Sequence, residues 1–105
     1  MRPLRNFLRD ITEVLGTEDV DGIVVAGDRV GHGEWHREDQ MFPIQTWDEV
    51  APTFDYDYDN GFGGADCHFF YLWTTTRIIY VDEYDGSTRI ASMPRNPTPC
   101  SPEVY

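Results

Sequence analysis

The stretch "RIIYVDEYDGSTRIASM", Arg77 to Met93, decides the fold. Asp85-Gly86 is a dipeptide favoured in two-residue hairpin turns, because both central positions of such a turn need a left-handed backbone. The flanking segments are rich in β-branched and aromatic residues, so the reading is strand, turn, strand. A two-residue turn there sets Val81 opposite Ile90 and Asp82 opposite Arg89, and the second pair brings unlike charges together. The unbroken apolar run Ile78-Ile79-Tyr80-Val81 predicts a strand that is covered on both faces or lies centrally in its sheet.

Working outward, "CHFFYLWTT" (67–75) reads as a third strand and "DGIVVAG" (21–27), bounded by glycines, as a short fourth. "DRVGHGEW" (28–35) is a weaker continuation, interrupted by its glycines. At the N-terminus Leu4, Phe7, Leu8, Ile11, Val14 and Leu15 recur at helical spacing. They predict an amphipathic helix from about Pro3 to Leu15, ended by Gly16, with Arg9 and Glu13 four apart and able to pair. Thr46 and Glu49 have the spacing of a capping box, which gives about one turn of helix before Pro52. The expected architecture is α+β: an antiparallel sheet of three to five strands with the N-terminal helix packed on one face. Residues 1–93 would form a single compact domain. The segment "PRNPTPCSPEVY" (94–105), with four prolines, would be an extended tail.

Composition narrows the function. Nineteen acids face eight basic residues, all of them arginine, for a formal charge of −11 in 105 residues. So acidic a chain has no basic footprint with which to displace counterions, which argues against direct nucleic-acid binding and for a basic protein partner. General solubility or salt adaptation explains the same acidity. No run is long and apolar enough to span a bilayer, and the N-terminus acquires Asp10 and Glu13 too early for a signal peptide. The expected location is the cytoplasm, or a host's cytoplasm if the protein is viral. Cys67 and Cys100 are too few for a disulfide framework and are read as free thiols, a bridge to the tail being the alternative.

Two stretches carry candidate sites. In "TFDYDYDNGFGGAD" (53–66), Phe54, Tyr56 and Tyr58 alternate with Asp55, Asp57 and Asp59. A period of two puts the rings on one face and the carboxylates on the other, where they recur about every 6.6–7 Å. That spacing is comparable to the phosphates of a nucleic-acid strand, so the face could imitate one, although any acidic strand shares it. Asp82, Glu83 and Asp85 would extend the acidic surface, with Tyr56, Tyr58 and Tyr84 as aromatic anchors. A calcium loop fits poorly: Asp55, Asp57, Asp59 and Asp66 fall at ligand positions, but Asn60 stands where the loop requires glycine. In "GHGEWHRED" (31–39), His32, Glu34 and His36 alternate and make a set adequate for zinc or iron, to which His68 could add a fourth ligand, though no C-x-x-C or H-E-x-x-H is present.

Catalysis is not expected, and no cofactor is implied. The chain has no phosphate-binding glycine motif, no lysine for Schiff-base chemistry and no nucleophile elbow. The leading expectation is a non-catalytic acidic module that occludes a basic, nucleic-acid-binding surface of a partner, as phage counter-defence or immunity proteins would. The alternatives are a metal-binding protein or small metalloenzyme using the histidines, and a structural or assembly protein.

Overall fold

The turn at Gly86 (φ 83°) joins two eight-residue strands in the register expected from the sequence. Val81 pairs with Ile90, Asp82 with Arg89, and Tyr84 with Ser87. The computed structural model describes residues 4–31, 40–61, 63–84 and 86–102. In chain order the elements are β1 (Arg5–Asn6), α1 (Phe7–Leu15), β2 (Val20–Val25), β3 (Ile44–Gln45), α2 (Trp47–Val50), a 3₁₀ turn (Ala51–Phe54), β4 (Asp57–Tyr58), β5 (Phe70–Thr74), β6 (Arg77–Tyr84) and β7 (Ser87–Pro94).

The fold is α+β. Five strands form an antiparallel sheet in the order β3-β2-β5-β6-β7, and β1 pairs with β4 in a separate two-stranded ribbon. The helix begins later than its apolar spacing predicts. Asn6 caps it by accepting the Arg9 N–H at 2.9 Å, while Arg5 and Asn6 are held in β1, and Leu4 is left exposed. Pairing with a distant strand outweighs helical periodicity at this end. Gly16 ends the helix at φ 64° and returns its N–H to the Thr12 carbonyl, and Arg9 pairs with Glu13 at 3.2 Å. In the short α2, Thr46 accepts the Glu49 N–H and its hydroxyl donates to the Glu49 carboxylate.

The helix packs on one face of the sheet. There Ile23, Leu72 and Ile79 form a single cross-strand row, all fully buried. Above them Phe7 sits at the centre of an aromatic cluster, edge-on to Phe54, Tyr58 and Phe70 at 5.1, 5.1 and 5.9 Å and stacked on Tyr56 at 5.2 Å. These rings remove large apolar areas from water and gain further from their edge-to-face geometry.

β6 meets the second of the two expectations: it is interior to the sheet, with a strand on each side, and no described element covers its face turned away from α1. The rows Ile44–Val24–Tyr71–Tyr80–Ala91 and Gly22–Trp73–Ile78–Met93 share the face turned away from α1. Ile44, Tyr71 and Met93 are 76%, 58% and 50% exposed, and Val24, Trp73, Ile78 and Tyr80 are half-buried.

Past β7 the chain is tied down at one point. Arg95 donates to the Thr74 carbonyl at 2.9 Å and pairs with Asp21. Residues 96–102 are exposed, Cys100 among them as a free thiol.

Candidate functional site

The acidic stretch keeps its alternation without forming the strand its period suggests. The 3₁₀ turn delivers Phe54 into the core, and only Asp57 and Tyr58 pair, with Asn6 and Arg5. Phe54 and Tyr58 are buried, while Asp55 and Asp57 point to solvent. Asp55 accepts a hydrogen bond from the Asn6 amide at 3.0 Å. Asp59 folds back into its own loop: its carboxylate accepts the Gly61 N–H at 2.8 Å. Two exposed carboxylates therefore stand where the sequence places a row of three.

Two of the three tyrosines proposed as anchors are structural. Tyr58 is 1% exposed, and its hydroxyl donates to the Asp10 carboxylate at 2.6 Å. Burial pushes the Asp10 carboxyl up, but hydrogen bonds from Arg5 and Tyr58 and the Arg5 charge outweigh it, leaving the group below its ordinary value. Burial, with the bond to Asp10, pushes the Tyr58 phenol well up. Tyr56 lies between Phe7 and the Arg29 guanidinium, which sits 4.1 Å from the ring centroid. Its hydroxyl accepts the His68 backbone N–H at 2.9 Å, so its own proton is free to go to His68 Nδ1, also at 2.9 Å. Tyr84 is the candidate anchor that remains at the surface.

His68 is 9% exposed, and burial and then the Arg29 charge lower its pKa, which favours the neutral ring; a Tyr56 hydroxyl donating to Nδ1 goes with the tautomer that carries its proton on Nε2. His68 lines an open cleft of about 330 Å³ whose walls include Val25, Phe42, Val50 and Phe54. The cleft also carries the carboxylates of Asp28 and Glu49. Next to it, Cys67 is fully buried, and burial pushes its thiol up to about 12, so it is held as an inert thiol.

His32, Glu34 and His36 lie outside the described residues, as does Asp85. Among the described residues no three His, Cys, Asp or Glu side chains gather so as to hold a metal ion. The four aspartates of the calcium reading are dispersed: Asp55 and Asp57 face solvent, Asp59 caps its loop and Asp66 pairs with Arg29 at 3.0 Å.

The charges sort in an uneven way. Each described arginine has a carboxylate partner within the chain: Arg5 with Asp10, Arg9 with Glu13, Arg29 with Asp66, Arg77 with Glu18, Arg89 with Asp82 and Arg95 with Asp21. Asp19, Asp28, Asp48, Asp55, Asp57 and Glu83 have no basic partner among the described residues. Among the described residues the positive charge is thus consumed internally, and acidic groups without a basic partner face outward. No described helix is long and apolar enough to cross a membrane.

Comparison with protein-family models, with curated proteins and with solved structures finds no match to this chain.

Sequence reasoning missed the uncovered face of the sheet. In "FFYLW" (69–73) both parities are apolar, so no polar alternation marks one side as facing water.

Proposed function

We propose that the protein is a non-catalytic acidic module that binds a basic protein and occludes the surface with which that partner grips nucleic acid. The supporting observation is the charge distribution. Every described arginine is paired within the chain, whereas Asp19, Asp28, Asp48, Asp55, Asp57 and Glu83 carry unneutralised charge. At a formal charge of −11, the field outside the molecule is negative, which attracts cationic surfaces and repels nucleic acid. Asp55, Asp57 and Glu83 are exposed contributors, and Tyr84 is an exposed aromatic at the end of β6. A small inhibitor of this type, such as a phage counter-defence or immunity protein, acts by steric and electrostatic blockade with no covalent step.

The test is capture with the tagged protein from source-cell extract at low and moderate salt, followed by a nucleic-acid-binding assay on whatever basic protein is retained. The expected result is one basic protein in stoichiometric amount, released by salt, and prevented from binding nucleic acid while in the complex. Recovery of no such protein at either salt, or of one whose nucleic-acid binding is unchanged, overturns the proposal.

A further inference from the structure

We infer that the uncovered face of the five-stranded sheet is the contact surface for the basic partner, and that its exposed aromatic rings receive arginine guanidinium groups. This rests on the proposed reading of the protein as an acidic module for a basic partner, and it assigns the contact to a different part of the molecule from the acidic stretch. Phe54 and Tyr58 bury themselves on the α1 side of the sheet, so the alternating Asp55 and Asp57 point away from it. The carboxylates of 53–59 and the uncovered face thus lie on opposite sides. One flat contact cannot use both.

Three observations favour the sheet face as the contact. First, Ile44, Tyr71 and Met93 are three of the six most exposed large apolar residues, and cross-strand register places them on this face in two neighbouring rows, with Tyr84 beyond the Asp82–Arg89 pair at the hairpin end. A cluster of this kind marks an interaction surface, whereas scattered apolar residues do not. Second, the face carries exposed or half-exposed aromatic rings, Tyr71, Trp73 and Tyr80. Tyr71 and Trp73 meet edge to face at 6.1 Å and 71°, with Tyr71 exposed and Trp73 half-buried. Ring faces attract cations through the ring quadrupole, and arginine, planar and weakly hydrated, stacks on them better than lysine. Third, the chain already places a guanidinium here. Arg95 lines a notch of about 220 Å³ together with Trp73, Ile44, Gly22 and Asp21, and pairs with Asp21 at its rim.

Charge decides the occupant. A second copy of the chain would bring two bodies of charge −11 face to face. Nucleic acid is repelled by the same field. An arginine-bearing protein surface satisfies the rings and the field together. Asp55 and Asp57, remote from the contact, then act on the rate of encounter, and Tyr71 and Trp73 on the lifetime of the complex.

The experiment uses the full chain and two soluble probes: a short arginine–serine–glycine peptide and its lysine twin of equal length and charge. Binding is followed by nuclear magnetic resonance at fixed, low ionic strength. The arginine peptide should bind about threefold to tenfold more tightly than its twin, shifting the Trp73 indole and Tyr71 ring signals. Tyr71→Leu with Trp73→Leu keeps apolar area but removes the ring faces, and should abolish the arginine preference while leaving the lysine peptide's affinity unchanged. If the double variant does not fold, Tyr71→Leu alone should still reduce the preference. Asp55→Asn with Asp57→Asn should weaken both peptides equally and keep the preference.

Equal affinity for the two peptides, or a preference that survives loss of the rings, overturns the assignment and leaves the acidic-module reading standing. Shifts confined to the α1 side do the same. Self-association through the sheet face would show the occupant to be a second copy. If neither peptide binds at low salt, the acidic-module reading itself falls.

Discussion

The two faces of the sheet are built from similar residues and meet opposite fates. On one, Ile23, Leu72 and Ile79 are fully buried beneath Phe7 and Ile11 of α1. On the other, Val24, Tyr71, Trp73, Ile78 and Met93 stay wholly or partly in contact with water. Apolar character alone therefore does not choose the core. The described chain supplies one nine-residue helix, one short helical turn and a two-stranded ribbon, and all of them are used on the first face. Covering the second would require a further layer.

The sharpest way to break this comparison is Phe7→Ala. It empties the centre of the aromatic cluster and should cost about 3–5 kcal/mol in urea unfolding. A loss below about 1 kcal/mol would mean that α1 is not what holds the covered face.

Next in size is Asp10→Ala, which leaves the buried Tyr58 hydroxyl without its acceptor and Arg5 without its partner. A cost of about 2–4 kcal/mol is expected, towards the lower end because Arg5 is half open to water. Combining it with Tyr58→Phe should recover part of that loss, since the stranded hydroxyl is then gone. Strict additivity in the double-mutant cycle would contradict the shared bond.

Stability should also fall with acid in two stages. The folded pKa of His68 lies below its ordinary 6.5, so the unfolded chain takes up a proton first as pH drops. Its contribution is complete above pH 6.5 and is lost as pH falls toward the folded value, by at most about 1.4 kcal/mol per pH unit. His68→Gln should remove that part of the slope. Asp10 follows at lower pH: its folded pKa lies below 3.8, so its contribution holds above 3.8 and is lost as pH falls through the folded value. Unfolding curves from pH 7 downward would separate the stages, and an unchanged slope in His68→Gln would argue against the neutral ring.

The smallest effect belongs to the uncovered face. Tyr71→Leu should change stability by under about 1 kcal/mol, since the ring is 58% exposed and makes one aromatic contact among the described residues. A larger loss would show that this face contributes to the core after all.

What could be read from the sequence follows the range of the interactions. The hairpin register, the Gly16 terminus, the Arg9–Glu13 pair and the Thr46 capping box were all legible, because each depends on residues within a few positions of one another. The start of α1 was not. It is fixed by pairing of Arg5 and Asn6 with Tyr58 and Asp57, which no local pattern announces. In the acidic stretch the direction of the rings was legible from their alternation, but their role was not. Tyr58 became core because Asp10 lies within reach of its hydroxyl, and Asp59 left the row because the glycine loop after it turned back. The uncovered face was hidden by its own composition, apolar on both parities.

The ribbon of β1 and β4 has a consequence for the order in which the molecule is made. Arg5 and Asn6 leave the ribosome early, but their partners Tyr58 and Asp57 are translated much later, and Phe7 must wait for Phe70 as well. The apolar stripe of α1 is therefore unsatisfied through most of synthesis, while the β6–β7 hairpin can close as soon as it emerges. Bringing the two ends of so long a loop together carries an entropic cost that local pairing does not. The earlier-made strand of the ribbon thus finds its place only after the later one emerges, and during that interval the nascent chain is exposed to misassociation.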